Sequence, residues 1–329
     1  MKKLLQRPAM MREAALGGRG HKWILEILIF ILVFIVASSI ESMLLAPPLS
    51  VWLFRSAFPV IQGIVQQGGS PLSSVGAMMQ SLTALMNSMP EWLLILQLYV
   101  TVAVTVTVIL FCRLIEKRKP ATLGLRRGHI AREYLIGAAV GTGMLTFAIG
   151  INVLFGGLKI SAGHFSVLPW VLYLLGFVLQ GMSEEVLCRG YLMVSMARKN
   201  PLWVAVVGNS LVFAVLHLAN PGISVVAFLN LFLCGCVFSV YVIKRGNLWG
   251  ACAMHSLWNF VQGNVFGVSV SGMGKMTSIF SSYSVSGHGL LNGGTFGLEG
   301  GLAVTFVELA ALALILFLVP AKEESAQAE

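Results

Sequence analysis

Gly181-Met182-Ser183-Glu184-Glu185-Val186-Leu187-Cys188-Arg189 sets two adjacent carboxylates and a guanidinium inside an apolar run that extends from Leu168 to about Met196. The run has the length of a membrane-crossing helix. An ionisable side chain at the centre of such a helix costs about 2.5–3.5 kcal/mol on insertion scales and marks a site by default. Glu185 and Arg189 are four apart, share a helix face and can neutralise each other. Glu184 lies about 100° round the helix and has no partner within its own turn, which makes it a candidate general base. The plainer reading is that the three groups only hold helices together.

Working outward, the whole chain carries the same signature. Of 329 residues, 57% are hydrophobic and 11% charged, a balance that excludes an ordinary soluble domain and fits a polytopic membrane protein. The net charge of +9 is a matter of topology. Basic residues collect before Trp23, between Arg113 and Arg132, at Arg198 and Lys199, at Lys244 and Arg245, and at Lys322. Only Arg55, Lys159 and Lys275 fall in the alternate connections. The positive-inside rule therefore places both termini in the cytoplasm, and no nucleic-acid partner is expected. The five cysteines sit in or beside apolar segments without a C-x-x-C pair and read as small hydrophobes.

In chain order, residues 1–22 are a basic cytoplasmic tail. Residues 23–167 hold three transmembrane helices, with a long external connection at 47–90 in which Val75–Met89 reads as a short interfacial helix. Gly137, Gly141 and Gly143 in the third helix permit close packing. Residues 168–264 form a four-helix core, 265–300 an external Gly/Ser-rich loop, and 301–329 a last helix with an acidic tail. The expected fold is all-α, a bundle of about eight transmembrane helices.

Two further constellations lie in the core. Phe213 and His217 share one helix face, and so do His255 and Asn259. At 1.5 Å per residue, Glu184, His217, His255 and Asn259 lie roughly 15–24 Å from their nearest basic boundary and can meet in one polar pocket. Together they supply the parts of amide hydrolysis. A glutamate and a histidine can take a proton from water and return it to the leaving amine. A second imidazole and an amide N–H can stabilise an oxyanion. Glu185 and Arg189 would hold the helix and set the local field. No G-x-S-x-G elbow offers a serine nucleophile. Zinc is the rival, since Glu184, Glu185, His217 and His255 are good ligands, although no H-E-x-x-H is present.

The ordered triplet E-E-x-x-x-R at Glu184–Arg189, F-x-x-x-H at Phe213–His217 and H-x-x-x-N at His255–Asn259 resembles the CPBP family. That group comprises CAAX prenyl proteases and bacteriocin-processing or self-immunity membrane proteins. The resemblance covers about residues 168–264. It implies an eight-helix intramembrane protease whose site opens to the cytoplasmic leaflet. It also implies Glu184 and His217 as the water-activating pair, and His255 and Asn259 as the oxyanion hole. Glu185, Arg189 and Phe213 would support them. No cofactor is expected; with a metal instead, the ligands would be Glu184, His217 and His255.

The sequence thus predicts an intramembrane endopeptidase acting on a membrane-associated protein or peptide, in the plasma (inner) membrane if the source is bacterial. The contrasting expectation is a non-catalytic scaffold or transporter-like binder using the same pocket.

Overall fold

A computed structural model describes residues 5–18, 20–66, 76, 85, 89–274 and 276–320. The Met- and Leu-rich stretch Val75–Met89, expected as an interfacial helix, lies almost wholly outside the described residues, and so does the acidic tail.

The protein is predominantly helical. Among the described residues, five helices are long and apolar enough to cross a membrane: Trp23–Gly63, Glu91–Leu114, Ile130–Leu154, Val167–Lys199 and Val225–Arg245. The other three apolar runs of the core and C-terminus also form helices, but shorter ones. They are Leu202–Leu216, Trp249–Phe260 and Leu302–Leu318, of 15, 12 and 17 residues. Nearly every residue of Trp249–Phe260 is buried, so this helix is wrapped by its neighbours and its length is not set by lipid.

We number the helices α1 (Ala9–Leu16), α2 (Trp23–Gln66), α3 (Glu91–Val100), α4 (Val102–Leu114), α5 (Ile130–Leu154), α6 (Val167–Glu185), α7 (Val194–Lys199), α8 (Leu202–Leu216), α9 (Val225–Arg245), α10 (Trp249–Phe260), α11 (Gly289–Asn292) and α12 (Leu302–Leu318). A π-helical segment, Val186–Met193, joins α6 to α7 without a break, and a second, Val261–Val265, extends α10.

Two expectations need correction. The connection drawn at 47–90 starts as helix: α2 continues through Pro47, Pro48 and Pro59 to Gln66. Each proline removes one backbone donor, yet in an apolar stretch the helix remains the one conformation that satisfies the other backbone groups internally. Within the basic tail, α1 docks against the bundle with Met10, Met11 and Ala14 fully buried. Finally, the bundle is not purely helical. Strand β1 (Leu158–Ala162) pairs antiparallel with β2 (Phe280–Ser284), Leu158 opposite Ser284, which ties the Gly/Ser-rich segment to the rest of the fold.

Close helix approach positions the core. A Cβ on Gly137 would lie 1.9 Å from the Gly250 carbonyl oxygen, and one on Gly141 2.3 Å from that of Met254, so α5 and α10 touch backbone to backbone. Gly143 meets nothing within 4 Å and plays no such part. Gly181 does the same between α6 and α10, its missing Cβ falling 2.5 Å from Ser256 Oγ. That contact brings the helix bearing Glu184 against the helix bearing His255.

The basic segments gather at one end of the bundle. There Arg7 donates to the Asn200 carbonyl, Arg126 pairs with Glu13, Arg118 bonds Ser195, Arg245 grips Glu133 through two bonds, and Lys244 donates to the Leu316 carbonyl. The opposite end holds the sheet, the turn after α8 and residues 264–301.

Candidate active site

Helix α6 supplies Gln180 and Glu184 on one face and Glu185 on the next; the π-helical turn supplies Arg189. Glu185 and Arg189 are fully buried and paired at 2.8 Å. The guanidinium carbon stands 4.3 Å over the Phe213 ring and 5.4 Å from that of Phe238, so two aromatic faces also hold the cation. A π-helical turn within an α-helix recurs at functional sites, and this one begins at the residue after Glu185.

Glu185 has a second partner. Its Oε1 lies 2.9 Å from His255 Nδ1 on α10, so the carboxylate sits between a guanidinium and an imidazole. This bond turns His255 Nε2 toward Glu184 Oε2, 3.8 Å away. On the other side His217, the residue that ends α8, donates from Nδ1 to the Phe213 carbonyl at 2.8 Å. Its Nε2 then carries the lone pair and faces the same Glu184 Oε2 at 4.0 Å. Both separations exceed a direct hydrogen bond. Glu184 Oε2 is buried and has no hydrogen-bond partner among the described residues.

Sequence reasoning left Glu184 without a neighbour in its own turn; the structure corrects this. Gln180, one turn earlier, donates from Nε2 to Glu184 Oε1, and its Oε1 accepts from Asn259 Nδ2 at 3.1 Å. Gln180 therefore ties the carboxylate to the amide. Its i, i+4 spacing from Glu184 was the signal available in the sequence. Phe238 and Glu41 were missed as well. Only tertiary packing lays Phe238 beside Arg189 and His255 and brings Glu41, from α2, into the wall of the same cavity.

That cavity, about 690 Å³, brings Glu184, His217, His255, Asn259 and Phe213 together. Glu185 and Arg189 lie behind its wall. Its upper wall is formed by Asn220, Pro221 and residues 270–274, so the Gly/Ser-rich segment is part of the site rather than a remote loop. Glu299 secures this wall. Its carboxylate accepts from Gln262 Nε2 at 2.6 Å and from the Ser271 hydroxyl at 3.1 Å. Burial pushes the Glu299 carboxyl above the ordinary glutamate range, against the downward pull of those donors.

Among the described residues, no three His, Cys, Asp or Glu side chains are arranged to hold one metal ion. The set kept for zinc, Glu184, His217 and His255, converges on Glu184 Oε2 at 3.8–4.0 Å, with each ring Nδ1 bonded to a protein acceptor, an arrangement that metal-binding imidazoles also use.

Residues 166–261 match the family described as Type II CAAX prenyl endopeptidase Rce1-like. This segment is of the CAAX protease family. The match runs from the start of α6 to the end of α10 and contains all three motifs and all seven of the residues singled out in them. With five helices able to span a bilayer, the CAAX-protease-like chain is an integral, multi-pass membrane protein. No curated protein and no solved structure matches the chain.

Proposed function

We propose that this chain is an intramembrane endopeptidase that hydrolyses a peptide bond of a membrane-associated protein or peptide, crossing the membrane eight times with both termini cytoplasmic. The observation that carries the reading is the unbonded Glu184 Oε2 facing two imidazole Nε2 atoms at 3.8 and 4.0 Å inside a cavity.

A water molecule beside Glu184 Oε2 and His217 Nε2 can donate one O–H to each. Glu184 takes one proton as the oxygen attacks the carbonyl carbon, and His217 holds the other and orients the lone pair. The carbonyl oxygen becomes an oxyanion. His255 faces it through Nε2; with Nδ1–H given to Glu185, donating there requires the imidazolium form. Asn259 adds an amide N–H, since only one of its two is spent on Gln180. Collapse of the tetrahedral intermediate breaks the C–N bond, and Glu184 returns its proton to the leaving amine. Glu185 balances Arg189 and the His255 imidazolium. No step calls on a metal.

The test is Glu184→Gln in purified, lipid-reconstituted protein, with peptide termini of membrane proteins compared between cells carrying wild type and variant. General acid–base work contributes about 10²–10⁴-fold, so cleavage should fall by that much with folding unchanged. Full activity in the variant sinks the mechanism.

A further inference from the structure

The cavity has a direction. Its polar floor is Gln180, Glu184, His255 and Asn259, and its upper wall is Asn220, Pro221, Ser271, Gly272, Met273 and Gly274. The upper-wall residues belong to the end of the bundle that carries the sheet. On the other side of the floor the way is closed. Arg189, Tyr191, Leu192 and Met193 have no exposed surface, and neither do Met10 and Met11 of α1 or Leu123 and Leu248 beneath them. Backbone bonds seal this layer, with Leu248 N–H donating to the Gly124 carbonyl.

The sealed end is also the basic end. Arg7, Arg118, Arg126, Arg198, Lys244 and Arg245 are all bonded there, whereas the described cations of the alternate connections are Arg55 and Lys159. Under the positive-inside rule the sealed end faces the cytoplasm. The family resemblance implied the opposite opening.

Resting on the endopeptidase reading, we infer that the active-site cavity opens on the non-cytoplasmic side. The substrate is then a polypeptide segment presented at the outer leaflet, a translocated or exported chain. A C-terminus lipidated in the cytoplasm would meet the closed end. Residues 270–274 form the rim it must pass.

Two glycines serve as reporters, because a Cβ at Gly274 or at Gly128 meets nothing within 4 Å. Gly274→Cys and Gly128→Cys are expressed in cells and exposed to a membrane-impermeant maleimide, with the parent chain as background. Labelling of Gly274→Cys in intact cells, and of Gly128→Cys only after permeabilisation, is the expected pattern; the reverse overturns the inference. Right-side-out and inverted vesicles then receive a mixture of fluorophore–quencher peptides with apolar centres. Cleavage confined to right-side-out vesicles, and absent with Glu184→Gln, supports the inference. Glu184-dependent cleavage confined to inverted vesicles overturns it and leaves the endopeptidase reading standing. The expected labelling with no cleavage of any peptide in either preparation supports the orientation and counts against the endopeptidase reading.

Discussion

At the scale of single residues, the site works by dividing labour between two neighbouring glutamates. Glu185 binds Arg189 and His255 through one oxygen and lies behind the cavity wall, whereas Glu184 lines the cavity with an oxygen that has no hydrogen-bond partner among the described residues. The two should therefore fail differently. Glu185→Ala leaves a guanidinium buried without its counter-charge, a loss of about 3–5 kcal/mol, to be seen as a lowered unfolding midpoint. Asn259→Ala should lower kcat by about 10²–10³ with little change in KM, as for loss of one oxyanion donor, and leave the midpoint in place. Chelator dialysis followed by metal analysis should leave cleavage unchanged; loss of activity restored by zinc would replace the water mechanism with a metal-bound one. The seven motif residues were legible in the sequence because charge and imidazole are conspicuous in apolar helices. Gln180 offered only its i, i+4 spacing from Glu184, and Glu41 offered nothing, since a boundary glutamate carries no meaning until its neighbours are known.

At the scale of elements, the geometry depends on how near α6 and α10 can lie. Gly181 sets that distance against Ser256. Gly181→Val should push the helices apart, separate Glu184 from His255, and abolish most cleavage. Gly143→Val, on an open face, should not; equal activity of the two variants would refute the role given to Gly181. The period of the apolar residues predicted the helices well, yet it placed a loop where α2 continues through three prolines. Local breaker rules weigh a residue against water, and in a bilayer the alternative to a strained helix is an unsatisfied backbone.

At the scale of the whole molecule, the segment between α10 and α12 is a folded wall rather than a connector. Glu299 anchors it through Gln262 and Ser271. Because burial holds the folded carboxyl above its ordinary range, the stability it contributes is fully present below the unfolded glutamate pKa and declines as pH rises through the folded one. Glu299→Gln should flatten that decline in thermal unfolding scanned from acid to neutral pH. A variant with the wild-type slope would show that another group is responsible.

Sequence alone determined that the chain is a helical membrane protein, which end of the bundle is basic, and which polar residues stand out. Hydropathy and charge act locally, residue by residue along the chain, so they can be read in one dimension. The tertiary structure alone decided that Glu184 Oε2 faces both imidazoles, that Gln180 binds Glu184 to Asn259, and that residues 270–274 wall the cavity while α1 helps close its other side. Those facts depend on contacts between segments distant in sequence, and no local pattern encodes which segments will meet.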